Sequence, residues 1–184
     1  MFIAMIGLPA SGKSTIARRL ATELPGNVLD KDSIRAALFL PEQIEYSSEQ
    51  DDFCMEILYQ VAGYMLRKDP ARHVIVDGRP FGRQRQRESL FQAARRIDTR
   101  LCLIECVCSA ESASRRLQES VANAEHPAAN RDLALYRRLK TNWEPFTEER
   151  LVLDTDALDM NECVHAAMHY INSASRPRQE ESQS

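Results

Sequence analysis

The stretch FIAMI at 2–6, followed by GLPASGKS at 7–14 and then Thr15, decides the fold. Five consecutive apolar residues suit a strand covered on both faces, as in the interior of a parallel sheet. The next eight residues fit G-x-x-x-x-G-K-S/T, and a helical stretch follows, which is the context in which this pattern binds phosphate. Gly7 and Gly12 let the backbone turn tightly, so that its N–H groups converge on phosphate oxygens. Pro9, Ala10, Ser11 and Thr15 complete the cradle, and the helix that begins there adds its positive end. Lys13 can reach β- and γ-phosphates, and Ser14 can offer its hydroxyl oxygen to Mg2+. The loop predicts a nucleoside triphosphate with magnesium. Guanine readers carry N-K-x-D late in the chain, and its absence here tilts the expectation to ATP.

Four more apolar runs lie further along: NVLD (27–30), HVIVD (73–77), LCLIECVC (101–108) and RLVLD (150–154). Amphipathic stretches separate them. In 49–68, Phe53, Ile57, Val61 and Met65 recur every four residues, with Cys54, Leu58 and Leu66 beside them, which predicts one buried helix face. Residues 130–143 repeat the pattern with Leu133, Tyr136, Leu139 and Trp143. Asp159 and Glu162 form a capping box ahead of a stripe of Met160, Val164, Ala167, Met168 and Ile171. Strands alternating with helices predict an α/β fold with a five-stranded parallel sheet flanked by helices. The chain reads as one domain over 1–172, and the polar SASRPRQEESQS at 173–184 reads as a disordered tail.

The charges narrow the partners. Lys and Arg number 24 against 27 Asp and Glu, a net charge of −3, which disfavours generic nucleic-acid binding. No apolar run approaches the roughly 20 residues of a membrane helix. Phe2–Ile6 leads directly into the glycine loop and offers no signal peptide. The cysteines at 54, 102, 106, 108 and 163 form no CxxC pair, so buried thiols in a cytoplasmic protein are expected.

The second strand ends VLDKDSIR. Carboxyl ends of strands face the ligand crevice of an open α/β sheet, so Asp30, Asp32 and Arg35 fall beside the phosphate loop. Asp32 can accept the proton of a hydroxyl that attacks the γ-phosphoryl group, or it can cap a helix starting at Ser33. Arg35, three residues on, can hold an anionic or polar group of the substrate. Asp77 ends HVIVD in a Walker-B-like position, suited to a magnesium-bound water or to the acceptor. Arg79 and Phe81 follow near the strand end and can face the acceptor, whereas Arg83 and Arg87 read as a solvated helix face. A guanidinium this near the acceptor side points to a substrate with a carboxylate or phosphate.

With GLPASGKST, the D-x-D-x-x-R segment and HVIVDGR on the page, the chain resembles the small P-loop kinases. That AAA-type group includes chloramphenicol phosphotransferase, zeta toxin and the kinase part of polynucleotide kinase. The resemblance covers residues 2–156. It implies that Asp32 is the general base and that Arg35 orients the acceptor. It places a lid near 110–131, with Arg116 and Arg131 as its arginines, and an acceptor pocket in the insert that holds Tyr46, Ser47, Gln50 and Asp51. Ser47 or Ser48 serves equally as a helix cap. Thr155 and Asp156 would lie near adenine. The reading is ATP-dependent transfer to a hydroxyl of a small molecule, for which a sugar, an amino alcohol, a nucleoside and an antibiotic are all compatible. Polynucleotide 5′-hydroxyl phosphorylation and a regulatory ATPase that transfers to no acceptor are the alternatives. Nothing in the sequence fixes an oligomeric state.

Overall fold

The five apolar runs all become strands in the structure, a computed structural model that describes residues 1–122 and 132–175. In chain order they are β1 Phe2–Ile6, β2 Gly26–Asp30, β3 His73–Asp77, β4 Leu101–Val107 and β5 Leu151–Asp154. The sheet is parallel throughout, in the order β2-β3-β1-β4-β5. The helices are α1 Lys13–Glu23, α2 Lys31–Leu38, α3 Ser48–Lys68, α4 Gln84–Ile97, α5 Ala110–Ala122, α6 Leu133–Thr141 and α7 Met160–Ser175. α7 thus runs three residues into the stretch read as a tail.

β1 shows why the sheet forms. All five of its residues are fully buried. Strand geometry sends alternate side chains to opposite faces. Phe2, Ala4 and Ile6 join Met55, Leu58, Val74 and Leu90 beneath α3 and α4. Ile3 and Met5 join Ile16, Leu20, Ile104 and Ile171 beneath α1 and α7. Each large aliphatic buried this way contributes about 1.5–3 kcal/mol, so this one strand anchors both layers.

Two helix readings need correction. In α3 the buried stripe is Cys54, Met55, Leu58, Tyr59, Ala62 and Leu66, while Phe53 is 54% exposed. The helix is turned by roughly one residue from the expected face, because the sheet receives Met55 and Tyr59. In α7, Met160 is exposed, and Cys163 with Val164, Ala167 and Ile171 makes the core contact. The Asp159–Glu162 capping box forms as expected: the Asp159 N–H donates to Glu162 Oε2 at 2.8 Å and the Glu162 N–H to Asp159 Oδ1 at 2.9 Å.

β1 is central, and the chain leaves it for β2 and β3 on one side and later for β4 and β5 on the other. The crevice of such a sheet opens above the strand ends at this switch point. The β1–α1 loop, the β2–α2 junction and the β3–α4 connection all meet there.

Candidate active site

The loop after β1 is shaped by its glycines. Gly7 has φ +134°, and a Cβ there would stand 2.3 Å from the Cys106 carbonyl oxygen, so no side chain fits. Gly12 caps α1 in the left-handed region at φ +92°. The Gly7 N–H donates to the Pro80 carbonyl at 3.1 Å, tying the loop to the segment beyond β3. Lys13 is buried, and its Nζ donates to the Leu8 carbonyl at 2.7 Å, so the ammonium lies within the curl of the loop. Pro9, Lys13 and Ser14 line a cavity beside the loop, Ser11 is buried, and Thr15 is exposed on α1.

β2 and β3 end side by side, with Asp30 in register with Asp77. Asp30 is the helix cap: its Oδ1 accepts from the Ser33 N–H at 2.7 Å and from Ser33 Oγ at 2.8 Å. Asp32 is therefore released from the capping role considered for it and sits in the first turn of α2, almost buried. Its Oδ1 accepts from Arg35 Nη1 at 2.5 Å and lies 3.5 Å from Lys31 Nζ. Asp51 from α3 closes the cluster, meeting Lys31 Nζ at 2.7 Å and Arg35 Nη2. The Tyr46 ring lies 5.1 Å from the Arg35 guanidinium carbon and occupies the left-handed region at φ +51°. Arg35 is thus held between two carboxylates and an aromatic face, and it remains on the cavity lining.

Asp77 closes β3 almost fully buried, and its Oδ1 has no hydrogen-bond partner among the described residues. An orphaned carboxylate oxygen is costly, and with the Ser14 hydroxyl on the same cavity it makes a hard-oxygen donor set that suits magnesium. Arg79 is also buried, and its Nη2 pairs with Asp52. Phe81, expected to face the acceptor, is instead fully buried in the core under α4.

Lys13, Ser14, Asp32, Arg35, Asp51, Asp77 and Arg79 share one cavity of about 460 Å3. Its lining holds seven cationic side chains, Lys13, Lys31, Arg35, Arg79, Arg83, Arg85 and Arg138, against three carboxylates, Asp32, Asp51 and Asp77. In the insert Tyr46, Ser47 and Asp51 reach it, while Gln50 does not: its side chain accepts from the Glu45 N–H and donates to the Gln43 carbonyl. Ser47 also caps α3, accepting from the Gln50 N–H at 3.1 Å.

Sequence reading missed Lys31, Arg83, Arg85 and Arg138 as cavity residues. A signal for Arg138 existed: Leu135, Arg138, Leu139 and Asn142 follow the i, i+3, i+4, i+7 spacing and all line the cavity. Tyr136 and Leu133 turn the other way, onto Ala113 and Leu117 of α5. Arg87, expected on a solvated face, is buried; it donates to the Pro145 carbonyl at 2.7 Å, pairs with Glu148 and stacks on Phe146.

Arg116 does not line the cavity. Its guanidinium donates to Thr155 Oγ1 at 2.9 Å, the Thr155 carbonyl at 3.1 Å and the Ala10 carbonyl at 3.3 Å, and pairs with Asp156. Thr155 presses on the phosphate loop, within 3.2 Å of where a Gly12 Cβ would stand. Asp156 accepts from the Ser109 N–H at 2.8 Å, and its hydrogen bonds to Ser109 hold its carboxyl down at about 2. Arg131 lies outside the described residues.

A glycine loop between the central parallel strand and its helix, with carboxylates on the neighbouring strand ends, defines the P-loop nucleotide-binding α/β fold. Residues 2–143 match the family described as the AAA domain, and the chain belongs to it. Solved structures bear out the fold. A provisionally assigned kinase from Chloroflexus aurantiacus superposes with a TM-score of 0.70 at 22% identity, over 92% of this chain and 97% of that one. The APS kinase CysC of Mycobacterium tuberculosis, in complex with AMPPNP and APS, gives 0.68 at 18% identity, over 93% and 96%. A gluconokinase from Sinorhizobium meliloti gives 0.63 at 16% identity, over 93% and 91%. Comparison with curated protein sequences finds no match. No helix among the described residues is long and apolar enough to cross a membrane.

Proposed function

We propose that this protein is an ATP-dependent phosphotransferase that moves the γ-phosphoryl group to a hydroxyl of a small molecule, with Asp32 as general base. The observation that carries the proposal is the placement of Asp32 in one cavity with Lys13, Ser14 and Asp77. Kinase activity of the similar structures supports the same class.

The loop amides and Lys13 hold the β- and γ-phosphates. Ser14 and Asp77 are the residues suited to a magnesium ion, which supplies charge neutralisation on the phosphate oxygens when bound. Lys31 and Arg35 both engage Asp32 Oδ1, and Oδ2 has no hydrogen-bond partner among the described residues. Oδ2 takes the proton of the acceptor hydroxyl. The hydroxyl oxygen bonds to the γ-phosphorus as the bond to the β,γ-bridging oxygen breaks, and ADP leaves with that electron pair. Arg116 positions the loop through Ala10, and Arg131 keeps the lid role that the family resemblance implies. Five free thiols, four of them buried, suit the reducing cytoplasm.

The test is transfer from γ-labelled ATP, with magnesium and a small-molecule extract, by wild type and Asp32→Asn. We expect a labelled low-molecular-weight product whose formation falls by about 10²- to 10⁴-fold in the variant. Label released only as free phosphate, equally by both proteins, would favour the regulatory ATPase instead.

A further inference from the structure

The phosphotransferase reading leaves two cavity arginines unused. The guanidinium groups of Arg83, just before α4, and Arg138, on α6, make no ion pair or hydrogen bond among the described residues. The other arginines and Lys31 on this lining are matched by carboxylates at 32, 51 and 52.

The fold brings the two unmatched groups to one wall. Trp143 packs on Gly82, so closely that a Cβ there would stand 2.4 Å from its ring. The Glu144 N–H donates to the Gly82 carbonyl at 2.8 Å, and Glu144 Oε2 accepts from the Gln84 N–H at 2.5 Å. Arg83 lies between those two anchored residues, and Arg138 lies just over a turn before Trp143. Two exposed guanidiniums on one cavity lining add positive potential there and gain nothing from each other's charge, since like charges repel. A ligand oxyanion removes that repulsion and gains charge-assisted hydrogen bonds that guanidinium makes well.

Resting on the phosphotransferase reading, we propose that the acceptor is a small hydroxyl compound that also carries a phosphate or sulfate group, bound by Arg83 and Arg138. A cavity of about 460 Å3 has room for a molecule of sugar-phosphate size. This moves the anion-reading role from Arg79, which is committed to Asp52, to Arg83 and Arg138.

The test uses protein saturated with magnesium and the β,γ-imido analogue of ATP, so that the loop's own phosphate positions are filled. Inorganic phosphate and inorganic sulfate are then titrated separately by calorimetry, which tells the two anions apart. Arg83→Gln and Arg138→Gln should each weaken the preferred anion by about tenfold and change analogue affinity by less than about twofold. Arg83→Lys and Arg138→Lys should restore part of the loss. In labelled transfer, phosphate or sulfate esters of a hydroxyl compound should outperform the neutral parent, and that preference should collapse in both Gln variants. Anion binding that is absent, or indifferent to both Gln variants, overturns the proposal. So does an Arg138→Gln variant that loses analogue affinity as strongly as anion affinity, because Arg138 then serves the nucleotide. Oligonucleotides labelled better than mononucleotides, with a steep salt dependence, would overturn the small acceptor in favour of a nucleic acid. Failure of the analogue itself to bind would remove the phosphotransferase reading and this inference together.

Discussion

The two walls of the cavity hold similar side chains in opposite states. On the α2–α3 wall, Lys31 and Arg35 are buried and locked to Asp32 and Asp51. On the α4–α6 wall, Arg83 and Arg138 are exposed and unmatched. The difference teaches what each wall is for. A network already satisfied inside the protein fixes geometry before any ligand arrives. Unmatched cations contribute nothing until a ligand supplies the opposite charge. Arg83 and Arg87 show that residue type does not decide this. They stand one helical turn apart, yet Arg87 is buried on Phe81, Pro145 and Glu148 while Arg83 faces the cavity.

The largest effect should come from breaking the locked wall. Arg35→Met leaves Asp32 and Asp51 without their shared guanidinium. Removing one partner from a buried charge cluster costs about 3–5 kcal/mol, which in a chain of this size lowers the melting temperature by roughly 10 °C. Transfer activity should fall with it. Arg83→Gln and Arg138→Gln should stay within about 0.5 kcal/mol of wild type, because neither breaks a contact. Thermal unfolding of the three variants side by side measures the contrast. Equal melting temperatures would remove the distinction between the walls.

How much of this was legible in the sequence follows from how local each feature is. β1, the loop and α1 form from adjacent residues, so 2–15 sufficed to place them. The strand ends Asp30 and Asp77 were readable for the same reason, as was the helix cap at Asp159. The burial of Arg87 was not, because its partners lie 58 and 61 residues away on a segment with no regular structure. Phe53 misled because α3 offers apolar residues over more than one face, and only the packed sheet selects Met55 and Tyr59 over it. Asp32 and Asp51 come together across a nineteen-residue separation that no motif announces. Arg138 was marked by helical spacing, but the stripe ran two faces together: Tyr136 belongs to the packed face and Leu139 to the cavity.

A smaller effect should come from the strap that supports the open wall, residues 142–150 between α6 and β5. The Phe146 ring packs against two guanidiniums, its centroid 4.5 Å from the guanidinium carbon of Arg87 and 4.3 Å from that of Arg150. Arg150 in turn pairs with the buried Glu105 of β4 at 2.5 Å. Phe146→Ala removes a partly buried ring and both stacking contacts, about 2–3 kcal/mol together. Phe146→Leu keeps most of the apolar contact and should cost about 1 kcal/mol. Denaturant unfolding gives both values. Because the strap holds the α4 and α6 ends, the Ala variant should also weaken phosphate or sulfate binding while leaving analogue affinity unchanged. Loss of both affinities together would mean that the two walls move as one.

The smallest effect separates the cavity from the far end of the same strand. β3 begins at His73 and ends at Asp77, so its two ends report on different surroundings. Burial, reinforced by the positive N-terminus, pushes the His73 imidazole below its ordinary value of 6.5. The folded protein therefore resists the proton that the unfolded chain accepts. Above about pH 7 both states hold a neutral ring and His73 adds no pH dependence. As pH falls through 6.5 the unfolded chain takes up the proton first, and stability declines with it. His73→Gln should remove that part of the decline as pH falls below 6.5, read as the difference between the two unfolding curves. Analogue binding should not change, because His73 stands at the opposite end of the strand from Asp77. A His73→Gln variant with the wild-type pH slope would mean that the ring is protonated as readily in the fold as out of it.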